Sequence, residues 1–230
     1  MSDYVLSCES TVDLTPDKIQ ELGLECIFFH FYIDGAEYSD DLGQTVSFDE
    51  FYQAMKDGAE TKTAAIGTGE YEAFFRTFLE QGKDVLHVSL SSGISGTVES
   101  ARIAAQTLSA EFPDRKIYVV DSLAASSGFG LLMQALSENR AAGMRIDELR
   151  DWAEAHKLHD WHWFFSTDLT FYIKGGRVKP LSGFVGSMLG ICPLLNMDSL
   201  GRLIPREKIR SKKKVIKRIV EKMEQTADKG

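Results

Sequence analysis

The feature that most restricts the fold of this chain is the alternation of short apolar runs with segments of helical period. Tyr4 to Ser7 leads through a polar turn, Glu9-Ser10-Thr11-Val12-Asp13, to Thr15 and Pro16, a capping residue followed by a first-turn proline. Tyr71, Phe74, Phe75, Phe78 and Leu79 fall on one helical face before Gly82. Val85 to Leu90 reads as a buried strand, Ser91 to Gly96 as a tight turn, and Thr97 to Leu108 as a helix. Lys116 to Val120 is another strand, closed by Asp121-Ser122, and a small-residue helix follows. Strands separated by helices need crossover connections, which favour parallel pairing. The expectation is a doubly wound parallel α/β domain.

Two other stretches depart from this rhythm. Glu25 to Ile33, a turn at Asp34-Gly35, and Ala36 to Asp41 read as paired strands, and Ser47 to Glu50 has capping-box spacing. After a helix at Ile146 to His156, an aromatic strand at Trp161 to Ser166 precedes an antiparallel hairpin, Ile191 to Met197 and Arg202 to Pro205. A last helix carries Val215, Ile216, Ile219, Val220 and Met223 on one face. The predicted domains are 1–157 and 158–230, the second a smaller mixed α/β unit.

Charge and cysteine usage narrow the function classes. The formal net charge of −8 argues against nucleic acid as a partner of the whole chain. Arg202 to Lys222 nevertheless holds ten Lys or Arg and only two acids, a basic surface that fits a solvated helix, a phosphate patch or an acidic partner. Cys8, Cys26 and Cys192 lack metal or disulfide spacing, and no long uncharged apolar run marks a leader or an integral membrane segment. A cytoplasmic protein is expected. His156, His159 and His162 straddle a helix end, so no metal site is predicted, and no catalytic motif is present.

The strongest chemical signal is Ser92-Gly93-Ile94-Ser95-Gly96, set between a buried strand and a helix start. Glycines let a ligand approach the backbone, and N–H groups with the helix dipole favour an anion. Thr61-Lys62-Thr63 and Ser10-Thr11 are further hydroxyl-bearing turns that could converge with it. Capping alone would call for the same residues, and spacing does not separate the two readings.

Taken together, the motifs resemble those of the DegV family, fatty-acid-binding proteins that include the binding subunits of bacterial fatty acid kinase. Glu9-Ser10-Thr11-Val12-Asp13-Leu14 is similar to its DSTxDL turn, with Glu for Asp; Thr63 alone matches its TSQP turn; Ser91 to Ala101 is similar to SSxLSGTxxSA. Asp121-Ser122, Tyr172 to Arg177 and Cys192 to Arg210 continue the series. The resemblance implies two α/β domains with a long-chain, palmitate-like acyl group buried between them. It implies that Thr63 and Ser95, with Ser92, Gly93 and Gly96, hold the carboxylate, and that Ser10, Thr11, Ser122 and Arg177 add polar contacts. It implies a carrier that presents its ligand to a kinase, with no catalytic residue and no cofactor. Members of the family also run on past Gly230, so the second domain is expected to be incomplete. The alternatives are an enzyme acting on a small phosphorylated or hydroxylated metabolite, and an interaction protein using the basic Lys208 to Lys217 surface.

Overall fold

The computed structural model describes residues 4–167, 169–178 and 191–227. It divides into two compact units, Met1–Asp160 and Trp161–Gly230.

The first unit is built on four parallel strands, β1 (Tyr4–Glu9), β2 (Glu25–Ile27), β6 (Asp84–Ser89) and β7 (Ile117–Asp121), in the order β2-β1-β6-β7. Helices cover both faces, as expected for strands whose two sides are apolar. On one face, α1 (Pro16–Glu21), α5 (Ser126–Ala141) and α6 (Ile146–His156) bury Ile19, Phe129, Met133, Leu136 and Leu149 against Leu6 and Leu86. On the other, α3 (Thr68–Leu79) and α4 (Thr97–Glu111) bury Tyr71, Phe75, Ala101 and Leu108 against Val85. Of the aromatic face in α3, Tyr71, Phe75 and Leu79 are buried, while Phe74 and Phe78 lie partly buried beside them. Gly130 lets α5 approach closely, because a Cβ there would lie 3.1 Å from Leu14 Cδ2 and 3.3 Å from the Val12 carbonyl oxygen.

The doubly wound expectation is met, but the apolar run Glu25 to Ile33 serves two sheets. Its first part is β2; its second, β3 (His30–Ile33), joins β4 (Ala36–Ser39) and β5 (Thr61–Ala64) in a small antiparallel sheet ordered β4-β3-β5. Asp34 and Gly35 take φ of 49° and 85°, the double left-handed geometry of a tight hairpin turn. Helix α2 (Phe48–Lys56) has the expected capping box from Ser47 and Glu50.

In the second unit, β8 (Trp163–Phe165), β9 (Ile191–Met197) and β10 (Leu203–Arg210) form an antiparallel sheet. The expected hairpin is present, with a bulge between Pro205 and Glu207. Thr170–Lys174 forms the short helix α7, and α8 (Lys212–Thr226) packs Val215 and Ile219 beside Cys192 and Leu194. Ile216, Val220 and Met223 are exposed; Ile216 and Val220 stand about 100° around the helix from Val215 and Ile219 respectively.

Candidate functional site

Parallel strands send their carboxyl ends to one rim of the sheet, and chain order reverses between β1 and β6. Such a switch point is where the loops diverge and leave a crevice. The loops at this rim are Ser10–Val12 after β1, Leu90–Gly96 after β6 and Ser122–Ala125 after β7.

The central loop is tightly wound. The Ile94 and Ser95 N–H groups both donate to the Ser91 carbonyl oxygen at 3.0 and 3.1 Å, and Gly93 N–H donates to Ser91 Oγ at 3.1 Å. Ser92 N–H reaches Asp121 Oδ1 at 3.1 Å, and Ser91 N–H reaches the Ala124 carbonyl oxygen at 3.1 Å, so the β7 loop braces it. Ser95 Oγ accepts the Thr97 N–H at 3.2 Å, which occupies a serine lone pair and leaves its proton as a donor. The Gly96 carbonyl oxygen takes the N–H groups of Glu99 and Ser100. Among the described residues, the N–H groups of Gly96 and Val98 have no acceptor, as the first turn of a helix dictates. The loop still offers these donors, which suit an anion.

The role of the glycines is more specific than sharp turning. Neither Gly93 nor Gly96 has a positive φ, and Gly96 sits at φ −81°, open to any residue. A Cβ on Gly96 would meet nothing within 4 Å. Bare backbone at this position therefore keeps space open above the helix start.

The remaining predicted contacts separate once they are placed. Ser10 Oγ accepts Phe29 N–H at 3.0 Å, so this hydroxyl ties the β1 loop to the chain entering the small sheet. Ser122 Oγ accepts Ala124 N–H at 3.1 Å within its own turn. Thr11 Oγ1 is buried and has no partner among the described residues. Thr63 lies on a strand, β5, opposite Phe31, and not in a turn. Ile66, three residues on, shares an apolar cluster with Leu90 and Ile94, and three extended residues span at most about 10 Å. Arg177 belongs to the other unit, where its Nη1 donates to the Gly175 carbonyl oxygen at 2.6 Å.

Burial raises the carboxyls of both Asp13 and Asp40 above the usual aspartate range, and mutual repulsion raises Asp13 further. A raised folded-state value means the native protein holds the proton more tightly than the unfolded chain, so ionisation costs stability at higher pH. Asp40→Asn is thus expected to raise the thermal midpoint at pH 7. The gain should disappear as pH falls toward the ordinary value of 3.8. Thermal scans across this range check it, and an unchanged or lower midpoint at pH 7 contradicts it.

A buried network outside the predicted site, Glu9, Tyr71, Ser89, His87 and Ser7, reaches the start of its central loop. Glu9 is fully buried, and its Oε1 accepts Tyr71 Oη and Ser89 Oγ, each at 2.6 Å, and lies 3.2 Å from His87 Nε2. Its Oε2 accepts Leu90 N–H at 2.6 Å. Burial, then the Glu9 charge, pushes the Tyr71 hydroxyl far above the usual tyrosine range. His87 Nδ1 is 3.0 Å from Ser7 Oγ, which completes a Ser-His-carboxylate order. All three side chains are sealed in the core, so no substrate reaches Ser7, and His87 is a satisfied core histidine. The sequence signal for this network was a charged residue closing an otherwise apolar strand.

Comparison with known proteins decides the lineage. A family model described as "Uncharacterised protein, DegV family" matches residues 6–230. The chain belongs to the DegV family. A DegV domain-containing protein of Streptococcus pyogenes is 34% identical over 221 residues, covering 96% of this chain and 77% of the relative. A Thermotoga maritima DegV relative named "Fatty acid-binding protein" is 29% identical over 226 residues, covering 96% of this chain and 76% of its own length. A solved DegV structure from Thermus thermophilus, described by its fatty acid binding, has 29% identity and a TM-score of 0.86, covering 98% of this chain and 78% of the other. The family resemblance and the α/β fold expected from the motifs are thereby established. Among the described residues, no helix is long and apolar enough to cross a membrane, and no His, Cys, Asp and Glu cluster is arranged to hold a metal ion.

Proposed function

We propose that this DegV protein binds a long-chain, palmitate-like fatty acid and holds its carboxylate at the Ser92 to Gly96 loop. The observation that carries this reading is the set of donors left at that loop: the Ser95 proton and the Gly96 and Val98 N–H groups face no protein acceptor among the described residues. A carboxylate is an acceptor-only group, and buried anions need several such donors. Ser95 is its main side-chain donor, with Thr63 from β5 as companion and Ser92, Gly93 and Gly96 shaping the approach. Thr11 supplies a further hydroxyl. Ser10 and Ser122 act through the shape of their loops. The bound fatty acid takes the place of a cofactor, and the protein is a cytoplasmic carrier that presents the carboxylate to a fatty acid kinase. Burial of about 15 methylenes at roughly 0.8 kcal/mol each gives an upper bound near 12 kcal/mol, enough to outlast the costs of association.

Mass spectrometry of lipid extracted from native protein is expected to recover a fatty acid, and added oleate should raise the thermal midpoint. No recovered lipid together with an unmoved midpoint would defeat the proposal. Gly96→Ala separates ligand from fold. Its methyl enters empty space at an ordinary φ, so the thermal midpoint should barely move, yet oleate affinity should drop by about tenfold as that methyl displaces the headgroup. Titration calorimetry checks this, and unchanged affinity would remove Gly96 from the site.

A further inference from the structure

The buried network ends two residues away from the proposed headgroup donor. Tyr71 Oη has a single proton, and it goes to Glu9 Oε1 at 2.6 Å. The second hydrogen bond at this oxygen, 2.8 Å from Thr97 Oγ1, must then be donated by Thr97. Thr97 is buried, and its N–H is the group that engages Ser95 Oγ at 3.2 Å. Each hydroxyl thus has its direction set by its neighbour: Thr97 donates to Tyr71, Tyr71 donates to Glu9, and the Thr97 backbone occupies a lone pair of Ser95. The Ser95 proton is left without an acceptor among the described residues. Glu9 holds the other end of the same loop through Leu90 N–H and Ser89 Oγ.

We infer that Glu9, acting through Tyr71 and Thr97, is a positioning residue that presents the Ser95 hydroxyl as a donor to the ligand carboxylate. This rests on the fatty-acid reading above. The chain joins four elements, β1, α3, β6 and α4, so the loop is anchored to the sheet as well as wound by its own hydrogen bonds. Buried hydrogen-bond networks of this kind rigidify what they connect when every member is satisfied. Loss of one link frees the start of α4 to shift without emptying the apolar core, because Tyr71→Phe and Thr97→Val conserve volume.

The test compares oleate with oleyl alcohol, which shares the hydrocarbon chain and lacks the carboxylate. Tyr71→Phe and Thr97→Val are each expected to weaken oleate binding about tenfold, the worth of one well-placed hydrogen bond, while leaving oleyl alcohol affinity unchanged. Thr97→Ser keeps the hydroxyl and should restore oleate binding. Either variant decides alone, so failure of one to fold leaves the other. Folded variants that bind oleate like wild type overturn the inference, as does an equal loss for acid and alcohol, which marks a merely structural role. Absence of oleate binding by the wild type overturns the fatty-acid reading itself, and the inference with it.

Discussion

Glu9→Ala is expected to lower the stability of the first unit by about 3–5 kcal/mol, the usual cost of breaking a buried, charge-assisted network by removing one partner. The substitution leaves the Tyr71 and Ser89 hydroxyls and the Leu90 N–H without their acceptor, and His87 loses its carboxylate neighbour. An unsatisfied buried donor costs roughly 1–3 kcal/mol, and partial relaxation keeps the total below the simple sum. Urea unfolding at neutral pH, followed by circular dichroism, measures the effect. A loss under about 1 kcal/mol would mean that water or a rearranged side chain replaces Glu9, and that the network is not rigid. Glu50→Ala is the control: this carboxylate caps α2 at an exposed position, so its loss should cost far less than that of Glu9.

Phe75→Ala is expected to cost a similar amount, about 3–5 kcal/mol, for a different reason. Phe75 is completely buried between Tyr71 and His87, with ring centroids 5.6 and 5.3 Å away. Deleting the ring removes its transfer free energy and leaves a cavity that a helix locked against a parallel sheet cannot close. Phe48, which is 59% exposed at the start of α2, should change stability by less than about 0.5 kcal/mol when replaced by alanine. Chemical denaturation of both variants checks the contrast, and equal effects would contradict the burial pattern. The two experiments together also separate mechanisms. Phe75→Ala should destabilise without altering the preference for acid over alcohol, whereas Tyr71→Phe should alter that preference.

Much of the fold was legible because local rules agreed with it. Pro16 after Thr15, the Ser47 capping box, Asp34-Gly35 and the period of Tyr71, Phe75 and Leu79 each act within a few residues, where side chain and backbone decide the outcome together. The Ser91 to Gly96 loop was legible for the same reason, since strand, turn and helix start follow one another directly. Glu25 to Ile33 was not divided correctly, because period alone cannot tell which of two sheets an apolar run will join. Thr63 was read as a turn residue, since a short polar strand at the edge of a small sheet carries no apolar alternation to announce it.

The serine hydroxyls show most clearly where sequence reasoning ends. Ser10, Ser95 and Ser122 all lie in strand-to-helix loops, and the family resemblance made Ser95 a main contact and the other two additional ones. Tertiary structure distinguishes them by where each oxygen is engaged: Ser10 Oγ holds Phe29 N–H across to the small sheet, Ser122 both donates to and accepts from Ala124 in its own turn, and Ser95 Oγ accepts the Thr97 N–H at the start of α4. By itself the amino-acid sequence determined the alternation of elements, the parallel core, the family and the loop at the switch point, because these follow from periodicity and neighbouring residues. Only the tertiary structure decided that Glu9, Tyr71 and Thr97 stand beneath that loop. The separations of 62 residues between Glu9 and Tyr71 and 26 between Tyr71 and Thr97 are bridged by sheet pairing and helix packing, which no local pattern encodes.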